Sequence, residues 1–129
     1  MSINVLIVDD SETVRAILAK TMRMAEMPIN ELYNAGNGQE ALDVLRSNWV
    51  DLVLTDINMP VMTGVQLIEQ MNKEDELKGI PVVVVSTEGS ATRVAELKMQ
   101  GVRAYIRKPF TPEQFREICT EVLGPTNEE

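Results

Sequence analysis

Asp56 closes the run Val50-Asp51-Leu52-Val53-Leu54-Thr55 and is followed by Ile57-Asn58-Met59-Pro60. The apolar Leu52 to Leu54 suit a strand buried on both faces, the kind found in parallel sheets covered by helices. A carboxylate directly after such a strand stands at the sheet's carboxyl edge, where open α/β folds bind ligands. Alone, Asp56 could equally be an aspartate that ends a strand or caps a turn. Three other apolar runs also end in polar groups: Asp9-Asp10 after Ile3 to Val8, Ser86-Thr87 after Ile80 to Val85, and Lys108 after Ala104 to Ile106. Each has a bland explanation, Asp10 as a helix cap, Ser86 as a turn residue and Lys108 as a solvated charge. Their placement on one edge is harder to explain separately. Carboxylates from Asp9, Asp10 and Asp56 would repel one another unless a cation held them. Oxygen ligands without histidine or cysteine point to a hard ion, and Mg²⁺ fits best. With the Lys108 ammonium, that ion would suit a phosphoryl group, and Asp56 could then act as a nucleophile and become an acyl phosphate.

The elements that must position these groups follow from periodicity. After the first strand, Val14, Ile17, Leu18, Thr21 and Met22 recur at helical spacing, with Met22, Met24 and Met27 as core and rim packing; Pro28 ends that helix. Leu32 to Ala35 reads as a weak strand. Asn37-Gly38-Gln39-Glu40 opens a helix whose apolar face is Ala41, Leu42 and Leu45. Thr63-Gly64-Val65-Gln66 has the form of a capping box, with Val65, Ile68 and Met71 as the buried stripe. Lys73 to Lys78 is a charged surface link, and Pro81 is tolerable only near the start of the fourth strand. Ser90 to Met99 reads as a helix with Val94 and Leu97 inward and Gly101 at its carboxyl cap. Thr111-Pro112-Glu113-Gln114 starts the last helix, with Phe115, Ile118, Cys119 and Val122 facing inward, and Gly124-Pro125 stops it. The pattern is strand-helix five times, without hairpins or repeats. It predicts a doubly wound parallel α/β sheet spanning residues 1–124, with 125–129 as a polar tail.

Composition narrows the chemistry further. A chain of 129 residues has room for one core. Its formal charge of −8 argues against direct nucleic-acid binding. The single cysteine excludes an internal disulfide, and the absence of histidine removes triad hydrolases and the common zinc hydrolase sites. Met1-Ser2-Ile3-Asn4 has neither a basic start nor a long apolar segment, so no signal peptide or membrane insertion is expected and a cytoplasmic location is the default.

The ordered set Val8-Asp9-Asp10, Asp56 with Met59-Pro60 and Gly64, Ser86-Thr87, and Lys108-Pro109-Phe110 closely resembles the receiver domain of two-component response regulators. The resemblance covers nearly the whole chain and points to single-domain receivers of the CheY type, in the flavodoxin-like (βα)5 fold with strand order 2-1-3-4-5. It implies that Asp56 accepts a phosphoryl group from a histidine kinase, CheA-like, or from a phosphotransfer domain. Asp10, Asp56 and the Asn58 main-chain carbonyl would hold Mg²⁺, with Asp9 acting mainly through a metal-bound water. Lys108 and Ser86 would contact phosphoryl oxygens, and a cis Lys108-Pro109 bond would aim the ammonium. Ser86 and Tyr105 would couple the site to the face of the fourth helix, fifth strand and fifth helix. Read on its own, Tyr105 is a half-buried strand aromatic with its hydroxyl in water. The implied protein is a monomeric phosphoacceptor rather than an enzyme acting on external substrates, with a flagellar motor switch protein or a phosphatase among the partners and chemotaxis as the setting.

Some positions are less standard. Serine at 86 replaces the commoner threonine, and Thr87 stands where alanine or glycine is frequent. The bulk of Thr87 would slow self-dephosphorylation relative to Thr87→Ala, and Asn58 and Glu88 would tune the same rate. Arg93, Lys98, Arg103 and Arg107 form a local basic cluster, either a solvated face or a dock for an acidic partner segment. Other readings stay open. A haloacid dehalogenase-type phosphatase would need an Asp-x-Asp motif ending the first strand. In a flavodoxin-like cofactor binder, Asp9-Asp10-Ser11 would repel a flavin phosphate. A phosphorelay intermediate or an unphosphorylated scaffold would keep the fold.

Overall fold

In a computed structural model, residues 2–26, 28–87, 91–108 and 110–123 are described, with 91–93 as backbone only. Met27, Glu88, Ser90, the Lys108-Pro109 bond, the Gly124-Pro125 stop and the tail lie outside the described residues, as does the Arg93 side chain. Strands β1 (Ile3–Val8), β2 (Ile29–Ala35), β3 (Leu52–Thr55), β4 (Val82–Ser86) and β5 (Ala104–Arg107) alternate with helices α1 (Glu12–Met24), α2 (Gly38–Ser47), α3 (Gly64–Asn72), α4 (Ala91–Met99) and α5 (Pro112–Leu123). The sheet has the expected order β2-β1-β3-β4-β5, with every pairing parallel.

Alternation along each strand divides the core in two. Leu6 and Val8 of β1, Val53 of β3 and Val84 of β4 pack with Leu42, Leu67, Ile68 and Leu97 from α2, α3 and α4. Val5, Ile7, Leu54, Val83 and Val85 face the other way, onto Leu18 and Met22 of α1 and Phe115 and Cys119 of α5. Strands β3 and β4 are buried along their whole length. This is the continuous apolar pattern expected when helices cover both faces of a parallel sheet. Burial pushes the Cys119 thiol up to about 12 and leaves it a small apolar packing group.

Local chemistry sets the helix starts. Thr63 and Gln66 form the predicted capping box of α3. In α5, Thr111 Oγ1 accepts from Gln114 N–H at 3.1 Å while Gln114 Oε1 accepts from Thr111 N–H at 2.9 Å. Asn37 caps α2, but Glu40 reaches back to Gly36 N–H instead of to the cap residue itself. At the end of α4, Gly101 has φ +99, and Gly101 N–H and Val102 N–H bond to the carbonyls of Lys98 and Leu97. Those paired bonds satisfy the last carbonyls of the helix and require a left-handed residue at Gly101.

Four expectations need correction. β2 begins at Ile29 rather than Leu32, because as the edge strand it exposes Asn30 and Glu31, which masked its pattern. In α1 the inward stripe is Val14, Leu18 and Met22, continued by Ala25 just past the helix end; Ile17 is 55% exposed and Met24 60%. Ile17 precedes Leu18 by one residue and so lies about 100° off that seam. In α3 the buried stripe is Gly64, Leu67, Ile68 and Met71, while Val65 is only half buried. The 73–78 link carries one core residue, Leu77, whose N–H bonds to the Glu74 carbonyl.

The end of α1 is fastened by α5. Arg116 donates from both Nε and Nη2 to the carbonyl of buried Ala25, beside Glu26 at φ +62. Arg116→Ala would leave that carbonyl at a helix end without its cap, and urea unfolding should show a loss of about 1–2 kcal/mol. No helix among the described residues is long and apolar enough to cross a membrane.

Candidate functional site

Register brings the polar strand ends together. Val8 pairs with both Ala35 and Thr55, Thr55 with Val84, and Ser86 with Arg107. Asp9 and Asp56 therefore leave the sheet side by side, and Thr87 and Lys108 leave it level with each other two residues further along, all at the carboxyl edge. Main-chain bonds continue the ladder past the strands, from Asp9 N–H to Ala35, Asp56 N–H to Val8 and Lys108 N–H to Ser86, at 3.1, 2.9 and 3.0 Å.

Carboxylate oxygens of Asp9, Asp10 and Asp56 lie within 4.8 Å of one another. Asp9 is buried and Asp10 exposed at the rim. Lys108 Nζ lies 2.7 Å from Asp9 Oδ2 and 3.3 Å from Asp56 Oδ2. Burial pulls the Lys108 ammonium toward neutrality, but the hydrogen bond to Asp9 and the charges of Asp56 and Asp9 outweigh it and hold the group above the ordinary lysine value. The second carboxylate oxygens are also fixed: Asp9 Oδ1 accepts from Ser11 N–H at 2.9 Å and Asp56 Oδ1 from Ile57 N–H at 2.7 Å.

The donor set fits a hard divalent cation. Among the described residues it consists of three clustered carboxylates with no histidine or cysteine in the group, and an ammonium already neutralises part of their charge. Asn58 stands two residues beyond Asp56, exposed, where its carbonyl could complete the set. Ser86 is fully buried at the end of β4, Thr87 is exposed after it, and Tyr105 is half buried on neighbouring β5. The sheet thus brings Asp9, Asp10, Asp56, Ser86, Thr87 and Lys108 to one edge, with Tyr105 further down β5. Glu88 falls outside the described residues.

The loop after Asp56 is tightly built. Met62 N–H bonds to the Pro60 carbonyl at 2.6 Å across Val61, which has φ +66. Such a γ-turn is strained for a β-branched residue, and Val61 is 81% exposed, so packing does not offset the strain. The turn aims the Met62 carbonyl at Gly38 N–H, 3.0 Å away, while Gly64 N–H bonds to the Ile57 carbonyl at 2.8 Å. One group escaped the sequence reading altogether. Arg15 donates from Nη1 to the Asp9 carbonyl. The available signal was a long cation in the second turn of α1, since helical side chains lean back toward the amino end.

A groove of about 600 Å³ lined by Leu45, Arg46, Trp49, Leu77 and Ile80 lies at the opposite pole, where the strands begin. Trp49 is 77% exposed there, with its indole N–H on Asp51.

Comparison with known proteins agrees with this geometry. Residues 5–120 match the response regulator receiver domain family. A chemotaxis protein CheY homolog of Campylobacter jejuni is 38% identical over 120 residues, covering 92% of this chain and 91% of the relative. Chemotaxis protein CheY-3 of Vibrio cholerae is 35% identical over 122 residues, covering 95% and 92% of the two chains. Among solved structures, Vibrio cholerae chemotaxis protein CheY4 superposes with a TM-score of 0.83 at 31% identity, over 95% of this chain and 99% of that one. A putative response regulator from Chloroflexus aurantiacus gives a TM-score of 0.86 at 26% identity, over 97% of this chain and 100% of that one. With its five-stranded order, its carboxylate cluster and its lysine in place, this chain belongs to the response regulator receiver family and is CheY-like along the matched length.

Proposed function

We propose that the protein is a phosphoacceptor that takes a phosphoryl group onto Asp56 and relays it as a change of binding surface. The observation that carries this reading is the convergence of three carboxylates and Lys108 at the carboxyl edge of the sheet. In the transfer, an Asp56 carboxylate oxygen forms the new bond to phosphorus as the phosphorus–nitrogen bond of a phosphohistidine breaks and the imidazole leaves. Lys108, whose charge is secured by its two carboxylate partners, is placed to stay protonated and neutralise a phosphoryl oxygen. Asp10, Asp56 and the Asn58 carbonyl would hold Mg²⁺, with Asp9 acting through a water. When bound, the ion supplies the positive charge that a phosphoryl group needs beside so many carboxylates.

The output follows from Ser86 and Tyr105, on adjacent strands β4 and β5. Phosphorylation would draw the Ser86 hydroxyl toward the phosphoryl group and shift Tyr105 inward, biasing the α4-β5-α5 face between two pre-existing arrangements. Exposed Lys98 lies on α4, Arg107 on β5 and Arg103 just before β5, and together they suit an acidic partner segment there. The names of the relatives favour chemotaxis; in that setting a CheA-like kinase would be the donor and a motor switch protein or phosphatase a further partner, in the cytoplasm.

The test is incubation with acetyl phosphate, with and without Mg²⁺, read by intact mass and by a phosphate-retarding gel. A single Mg²⁺-dependent phosphoryl gain, absent in Asp56→Asn, is expected. No gain in a folded, Mg²⁺-binding protein would overturn the phosphoacceptor reading in favour of a scaffold.

A further inference from the structure

We infer that Arg15 is a positioning residue for the cation site: it fixes the Asp9–Asp10 peptide plane and thereby aims the Asp10 carboxylate. The inference rests on the reading of Asp10 as a metal ligand.

Every polar group of Asp9 has a partner. Its N–H bonds to the Ala35 carbonyl, Oδ1 accepts from Ser11 N–H, Oδ2 from Lys108, and its carbonyl from Arg15 Nη1. Asp10 is the opposite case. It is exposed, and among the described residues no hydrogen bond or ion pair reaches its carboxylate. Its direction is therefore inherited from the backbone. The Asp9 carbonyl and the Asp10 N–H share one rigid plane, so whatever holds that carbonyl sets where the Asp10 side chain departs.

Arg15 can do this because it is itself well placed. It follows the Ser11 cap of α1, and its own N–H bonds to the Ser11 carbonyl at 3.0 Å. The guanidinium returns six residues to Asp9 and also lies beside Gly36, where an added Cβ would meet Nη1 at 3.6 Å. It thus packs between the β1–α1 and β2–α2 turns, half buried. A cation at this place has two opposed consequences. As a charge it repels a divalent ion; as a donor it orders that ion's ligand. Loss of the charge alone would tighten metal binding, whereas loss of the positioning would weaken it.

That opposition makes the test decisive. Mg²⁺ is titrated into the unphosphorylated protein and followed by the amide shifts of the β1–α1 turn, for the parent, Arg15→Met, Arg15→Lys and the control Arg23→Met on the exposed last turn of α1. Arg15→Met keeps the aliphatic stem and removes both donor and charge. It should weaken Mg²⁺ binding about tenfold, the lower end of the effect of losing a group that orients a metal ligand. Arg15→Lys should recover part of the affinity, and Arg23→Met should match the parent. The same spectra report whether each variant is folded, and Arg15→Lys keeps the inference testable if Arg15→Met is not. Binding by Arg15→Met that equals or exceeds the parent's, or an Arg15→Lys no better than Arg15→Met, overturns the positioning role while leaving the metal site standing. A parent that binds no Mg²⁺ at this turn overturns the metal site as well.

Discussion

Gly64→Ala should be among the most damaging single-methyl additions this chain can receive, with a loss of about 3 kcal/mol or more in urea unfolding. The cause is the first turn of α3, which seats directly on the loop that carries the acceptor carboxylate. A Cβ at Gly64 would stand 2.2 Å from the Asp56 carbonyl oxygen, 3.0 Å from Ile57 Cα and 3.1 Å from the Asp56 carbonyl carbon. All three are main-chain atoms, so no side chain can rotate away. The Gly64 N–H bond to the Ile57 carbonyl holds the helix end in that position and would have to lengthen or break. Function should fall with stability but beyond it, because the group that must move is the Asp56 peptide itself. An error of about 1 Å at a reacting group can lower a rate on the order of a hundredfold. Two other glycines calibrate the result. At Gly38 the added Cβ meets the Met62 side chain at 2.6 Å, a flexible neighbour, so an intermediate loss is expected. At Gly79 nothing lies within 4 Å, and Gly79→Ala should stay within about 0.5 kcal/mol of the parent. A Gly64→Ala protein as stable and as readily phosphorylated as Gly79→Ala would refute the packing account.

The same glycine illustrates what could be read from sequence. Gly64 belonged to the motif that marked the family, and the Thr63 capping box beside it is a local pattern of four residues, legible without knowing the fold. Strand ends were legible too, because an abrupt change from Val85 to Ser86 or from Leu54-Thr55 to Asp56 is visible in the chain and a parallel sheet gathers such ends at one edge. Helix faces were less so. In α1, Ile17 and Leu18 are both apolar, and choosing between two seams about 100° apart depends on how the helix docks against β1 and α5. In α3 the same ambiguity hides Leu67, since Val65, Leu67 and Ile68 offer competing stripes. The length of β2 was hidden because an edge strand may be polar. Contacts such as Arg15 to Asp9 or Arg116 to Ala25 join residues by the path of the backbone in three dimensions, and composition carries no mark of them.

Lys108→Met should destabilise the protein by about 2–3 kcal/mol in the absence of divalent cations. Methionine preserves the unbranched stem, so the loss comes from charge rather than from a cavity. Lys108 Nζ bridges Asp9 Oδ2 at 2.7 Å and Asp56 Oδ2 at 3.3 Å, with only 14%, 3% and 13% of the three side chains exposed. Removing the cation leaves two poorly solvated carboxylates facing each other. Breaking a buried pair from one side costs about 3–5 kcal/mol, and water at the rim beside exposed Asp10 reduces the figure here. The pH dependence has a definite sign. Because folding raises the Lys108 pKa, its contribution is complete below the ordinary value of 10.5 and is lost as pH rises through the elevated one. The gap between parent and Lys108→Met should therefore hold steady at neutral pH and narrow in strong alkali. Two further measurements separate unpaired charge from a general packing defect. Asp9→Asn combined with Lys108→Met should recover much of the loss, since the buried partner no longer carries a charge in need of compensation. Millimolar Mg²⁺ should also recover part of it by binding the folded form, because the ion replaces the missing positive charge among the same carboxylates. Lys108→Met within about 0.5 kcal/mol of the parent, or a double variant no better than the single, would show that the lysine is not what holds the carboxylates together.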